Sequence, residues 1–211
     1  FIATGILDKD YKMGFTTLID ILGSIIIGGV MMTIAYRLSD TITDRTYNHS
    51  GELTIQQNLA TVAQIIEYDF RKIGYCKNWN LLPDPTKAIL FANSSEIKFY
   101  TDIDNNGTVD SIRYYLGPTS ELTSTANPRD KMLYRVLNNE APKTSNLGVT
   151  EFHLVYFDAL GDTIIPPVGV NGGITSIEIN LTVESTEAYD QKFSKAFWRQ
   201  IRMVSRNLKN R

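Results

Sequence analysis

Between Phe15 and Tyr36 the chain reads FTTLIDILGSIIIGGVMMTIAY, 22 residues that carry one formal charge, Asp20. Wound as an α-helix rising about 1.5 Å per residue, this run reaches roughly 33 Å, enough to cross the hydrocarbon core of a bilayer. No ordinary water-soluble domain leaves such a segment bare, so it must lie in lipid or against other apolar surface. An acid at the centre of a membrane helix costs about 2.5–3.5 kcal/mol, and less near the end of the span, where Asp20 stands. Asp20 therefore needs a partner, unless its carboxylate snorkels to the interface. Charge does not fix the orientation, because Lys9 and Lys12 precede the run and Arg37 and Arg45 follow it. The run is longer than the apolar core of a removable signal peptide and continues into a helical pattern, which favours an anchor.

Past Tyr36, Leu59, Val62, Ile66, Phe70 and Ile73 recur at three- and four-residue intervals, the stripe of a helix packed on a sheet, and Gly74 is the expected stop. Ser39 to Gly51, rich in Ser, Thr, Asp and Asn, predicts an irregularity, and Gly28-Gly29 predicts local melting. Beyond Gly74 the period becomes two. Ile97 and Phe99; Ile112, Tyr114 and Leu116; and Ile177, Ile179, Leu181 and Val183 alternate with polar residues as half-buried antiparallel strands do. With Met132–Leu137, Phe152–Phe157 and Phe197–Val204 they make about six or seven strands. Loops are expected at Leu82–Lys87, Gly117–Asp130, Asn138–Gly148 and Pro166–Gly173. The class is α+β, divided into residues 1–14 as a leader or N-terminal extension, 15–74 as a long helix whose apolar half is 15–36, and 75–211 as an antiparallel β head.

A chain of 211 residues has room for one such head. The formal net charge of -2 provides no electrostatic footprint for nucleic acid. Cys76, the single cysteine, can form neither an internal disulfide nor a thiolate zinc site. His49 and His153 come with no nucleophile motif, so no catalytic role is expected.

The most specific local pattern is Asp102-x-Asp104-x-Asn106-Gly107-Thr108-x-Asp110. It sets oxygen ligands at alternate positions with Gly sixth, as in a Ca²⁺ loop, the Thr108 ligand being its backbone carbonyl. The twelfth position is Arg113 rather than Glu, and strands are expected on both sides, which excludes a complete EF-hand. Two readings stay open: a hairpin loop that holds Ca²⁺ with waters completing the shell, or a metal-free turn in which Asp and Asn cap backbone amides. The basic residues Arg199, Arg202, Arg206, Lys209 and Arg211 fit an edge strand guarded against sheet-to-sheet pairing.

Lys12-Met13-Gly14-Phe15-Thr16-Thr17-Leu18-Ile19-Asp20 resembles the processing site of type IV prepilins, where a leader ends in Gly, the mature chain begins with Phe, and an acid follows. Tyr68-Asp69-Phe70-Arg71-Lys72-Ile73-Gly74-Tyr75 is similar to the helix end of PilW-like minor pilins. Phe99 to Gly107 leading into Ile112–Leu116 resembles their acidic-loop hairpin, and Val204–Leu208 their last strand. The family has its acid at the fifth mature position; counted from Phe15 that place holds Ile19, and Asp20 is sixth. Processing after Gly14 and processing before Phe1 are both left open.

The resemblance implies a structural subunit of a bacterial type IV pilus. Such a subunit is held in the inner membrane, processed by prepilin peptidase, methylated on Phe, and then built into an extracellular helical polymer of identical or homologous pilins. Asp20 would meet the N-terminal amine of a neighbour, Gly28 and Gly29 would give close helix approach, and the acidic loop would stabilise the head. The alternatives are a minor or tip pilin, a type II secretion pseudopilin, or a single-pass anchored protein with a calcium-dependent binding head.

Overall fold

The computed structural model describes residues 3–186 and 193–203. The chain divides into two units, Phe1–His49 and Ser50–Arg211. A helix α1, Ala3–Arg71, makes up the described part of the first and opens the second.

In the first unit apolar side chains stand exposed all round the helix, from Leu18 at 59% through Ile25 at 66% and Met31 at 67% to Ile42 at 54%. By length and composition this part of α1 is able to cross a membrane. Two expectations are corrected here. Gly28-Gly29 is helical, and so is Ser39 to Gly51. Single-residue propensities are a weak prior of about 1 kcal/mol or less, and the helical backbone runs through both stretches. The hydroxyls there bond to the carbonyl one turn back, Thr33 to Gly29 at 2.9 Å, Thr41 to Arg37 at 2.8 Å, Thr43 to Ser39 at 3.0 Å and Thr54 to Ser50 at 3.0 Å.

In the second unit α1 buries Ile55, Val62, Ala63, Ile66 and Phe70, with Leu59 partly covered, so the stripe read from the sequence is the face turned to the core. Phe70 meets Phe99 edge-on at 5.5 Å and Tyr114 at 5.7 Å. Burial of a side chain this size contributes about 1.5–3 kcal/mol. The helix stops at Arg71, not at Gly74. Lys72 and Ile73 form a turn, and Gly74, at φ +74, directs its amide to the Tyr100 carbonyl at 2.9 Å. That left-handed residue docks the chain leaving the helix on the sheet.

Eight strands are present among the described residues: β1 Ile89–Ala92, β2 Glu96–Thr101, β3 Asp110–Leu116, β4 Lys131–Leu137, β5 Lys143–Phe157, β6 Thr163–Ile164, β7 Ser176–Glu184 and β8 Lys195–Met203. All pairings are antiparallel, in the order β1-β2-β3-β4-β5-β7-β8, with β6 on β5. The alternation in β2 and β3 places Ile97, Phe99, Ile112 and Tyr114 on the core side. The sheet curls enough for the β1–β2 turn to reach β5. The Leu154 amide donates to Ser94 O at 2.7 Å, and the buried Tyr156 hydroxyl to Asn93 O at 2.7 Å.

β1 and β6 were not foreseen, nor was the first half of β5, for which the sequence predicts a loop. Lys143-Thr144-Ser145-Asn146 has no apolar alternation to mark it. It is strand because its backbone pairs with β4 through Leu133, Tyr134 and Arg135. Residue 204 onward, and with it the end of the last predicted strand and the basic residues Arg206, Lys209 and Arg211, lies outside the described residues.

Candidate functional site

The acidic loop joins β2 to β3 and lies against the chain that leaves α1. Carboxylate oxygens of Asp102, Asp104 and Asp110 come within 4.8 Å of one another. Asp102 is fully buried. Its Oδ2 accepts the amides of Gly107 at 2.9 Å and Lys77 at 3.1 Å, and its Oδ1 the amide of Asn106 at 3.1 Å. Burial alone would raise its pKa. The amides of Lys77, Gly107, Asn106 and Asn105 together outweigh that penalty and hold the carboxyl below the ordinary value, so it stays ionised. The stability this brings is present above the ordinary carboxylate range and is lost as pH falls through the lowered value.

Asp104 Oδ1 accepts the Asn106 amide at 3.1 Å, and Asp104 Oδ2 the Asn106 side-chain amide at 2.8 Å. Asp110 accepts the Ile103 amide at 3.2 Å and Asn138 Nδ2 at 2.8 Å. Asn106 Oδ1 accepts the Thr108 amide at 2.7 Å and also the Thr108 hydroxyl. The backbone enters left-handed conformation at Asn105, φ 60, and Gly107, φ 88. Both are residue types that tolerate it.

Three of the five proposed ligands thus converge through their side chains, while the Asn106 oxygen is turned to Thr108. The donor set is all oxygen, which suits a hard cation. A carboxylate oxygen that accepts one amide keeps a second lone pair for a metal. Sequence reasoning missed the surrounding groups: the Lys77 amide, Asn138, and Lys72, whose Nζ donates to Ile103 O at 2.8 Å and Asn105 Oδ1 at 3.3 Å. Asn138 carries a signal in retrospect, since an Asn-Asn pair after a strand suits a turn, and its φ is 51.

A second polar cluster went unforeseen. Asp69 on α1, 1% exposed, accepts the Tyr114 hydroxyl of β3 at 2.5 Å and Arg135 Nε of β4 at 2.6 Å. Burial and the neighbouring Asp69 charge push the Tyr114 hydroxyl well above its ordinary pKa, so it remains a donor. The cluster ties the helix to two strands.

Of the residues predicted for processing and assembly, Gly14 and Phe15 fall within α1, and their side chains lie outside the described residues. Asp20 is exposed, and its backbone carbonyl accepts the Ser24 hydroxyl at 2.7 Å. Apart from its chain neighbours and the backbone of the adjoining turns, no described atom stands within 4 Å of a Cβ built at Gly23, Gly28 or Gly29. His153 is exposed on β5, opposite Asn180. No protein-family model matches this chain, and neither a curated protein nor a solved structure matches it.

Proposed function

We propose that this chain is a structural subunit of an extracellular filament of the type IV pilus class. On this reading the apolar part of α1 holds it in the inner membrane before assembly and lies in the filament core afterwards, and the β head is displayed outside. The observation that carries the proposal is the helical run from Leu18 to Tyr36, apolar with Asp20 as its one charge and covered by no described residue of its own unit. Lipid can cover that surface, and so can copies of the same helix. Ser24 and Gly28 lie four residues apart on one face, and open space flanks Gly23, Gly28 and Gly29, so a neighbouring backbone has room to approach. The Asp20 carboxylate is available to a cationic group of another subunit, such as a mature N-terminal amine.

The test is microscopy of sheared surface material together with detergent-extracted membranes. Wild-type chain is expected to repeat along a helical lattice, and Asp20→Ala to lower the filament yield about tenfold or more while leaving membrane-bound monomer. A factor of ten needs only 1.4 kcal/mol, less than the about 3–5 kcal/mol it costs to leave the partnering amine buried without its acid. One copy capping a different polymer would favour a minor or tip pilin, or a pseudopilin. A detergent monomer indifferent to the Asp20 change would favour an anchored binding protein, and in either case the proposal fails.

The acidic loop is assigned on the same footing to Ca²⁺, held by Asp102, Asp104 and Asp110 with Asn106 and the Thr108 carbonyl completing the protein ligands. Occupancy would fix the junction between the exit of α1 and the β2–β3 hairpin. Ca²⁺ at a hundredfold excess over its dissociation constant stabilises by about 2.7 kcal/mol, so melting of the head is expected to rise by roughly 5 °C or more on adding Ca²⁺ to chelator-treated protein. Asp104→Asn should abolish most of that rise. An unchanged melting curve would assign the loop to the metal-free turn.

A further inference from the structure

The segment between β3 and β4, residues 117–130, ends in a carboxylate that no described residue meets with a donor. Asp130 is 1% exposed, and among the described residues neither of its side-chain oxygens has a hydrogen-bond partner. Arg129 and Lys131 on either side line an open groove of about 670 Å³, so the Asp130 side chain between them is turned inward.

The groups around it are already engaged. Asn127, itself 1% exposed, donates Nδ2 to Glu184 Oε2 at 3.0 Å and to Ser185 O at 3.0 Å, and its Oδ1 accepts the Arg129 amide at 3.0 Å. Arg129 donates to Glu184 Oε2 through Nε at 2.9 Å, and its Nη2 stands 2.8 Å from the same oxygen. The Thr125 hydroxyl donates to Leu122 O at 2.9 Å, a bond it would have to give up to stabilise a charge on Asp130. Of the other charged groups on the described elements here, Glu121 and Glu151 accept the hydroxyls of Tyr134 and Thr182, and Lys131 and Lys195 face the groove.

A buried carboxyl with no donor must take up either a proton or a cation, because an isolated charge there is too costly. A hard cation seeks six to eight oxygens, whereas Glu184 Oε2 is committed to Arg129 and Asn127, and Asn127 Oδ1 to the Arg129 amide. A proton needs one acceptor. We propose that Asp130 is held as the neutral acid and acts as a proton-controlled latch. When neutral, it lets Asn127 and Arg129 hold the end of β7; when ionised, it sets a second negative charge beside Glu184 and loosens the 117–130 segment. Burial pushes the Asp130 carboxyl above the ordinary value, Thr125 works against it, Glu184 adds to it and Arg129 opposes. Because the folded value is the higher one, the stabilisation is complete below the ordinary Asp range and is lost as pH rises through the folded value.

The experiment is thermal melting of the full-length chain in detergent with chelator, from about pH 4 to about pH 8, for wild type and Asp130→Asn. The variant is expected to melt roughly 4–8 °C above wild type at the upper end, with the gap closing toward the lower end. Amides of residues 127–130 should also gain protection in the variant at high pH. The latch is refuted by parallel melting profiles, or by a variant that melts at or below wild type throughout. It is equally refuted if Ca²⁺ or Mg²⁺ raises the melting temperature of wild type and Asp104→Asn but not of Asp130→Asn, since Asp130 would then be a charged metal ligand.

Discussion

Replacing Arg135 by Met is expected to destabilise the head by about 3–5 kcal/mol, the usual cost of stranding one member of a buried ion pair. The Asp69 side chain is 2% exposed against 22% for Arg135, so among the described residues the substitution leaves the less accessible charge with the Tyr114 hydroxyl alone. The pair is also structurally central, because Asp69 stands one residue before the fully buried Phe70 on the helix face that meets the sheet. Asp69→Leu combined with Arg135→Met should recover much of the loss, since two apolar groups leave no charge behind. Urea titration followed by tryptophan fluorescence reports both. A single-variant loss under about 1 kcal/mol would mean that solvent reaches Asp69 and screens it as at a surface.

Gly148→Ala is expected to cost at least about 3 kcal/mol, from a left-handed backbone and from steric conflict together. Gly148 has φ +72, and a Cβ there would stand 2.1 Å from the Glu184 carbonyl oxygen and 3.3 Å from its carbon. Both are backbone atoms at the end of β7, so no side chain can swing aside. The strands would have to separate beside the register shift between Val149 and Glu151. Differential scanning calorimetry of the variant should show a melting temperature lowered by roughly 10 °C. A wild-type melt would mean that β5 and β7 do not approach so closely there.

What the sequence disclosed depended on periodicity. Leu59, Val62, Ile66, Phe70 and Ile73 declared one helix face, and the alternations through Ile97, Ile112 and Ile177 declared strands, because burial on one side imposes a rhythm of its own. Lys143–Asn146 has no such rhythm, since its neighbours supply hydrogen bonds rather than apolar contact. The presumed breaks at Gly28-Gly29 and Ser39–Gly51 rested on single-residue propensities, a weak prior that the continuous helix does not follow. The acidic loop was visible as a spacing, but Lys72 and Asn138 come from elsewhere in the chain. Asp69, Tyr114 and Arg135 could not be grouped in advance at all, because only the fold brings an α1 position beside β3 and β4.

The fifteen residues of β5 pair with β4 over Lys143–Val149 and with β7 over Val149–Phe157. This strand is the spine between two wings of the sheet, so fraying that begins at either outer border halts at the same place. Amide protons along Val149–Phe157 should therefore be released last, and only when the whole head opens at once. A domain built this way offers a protease few half-open intermediates to seize.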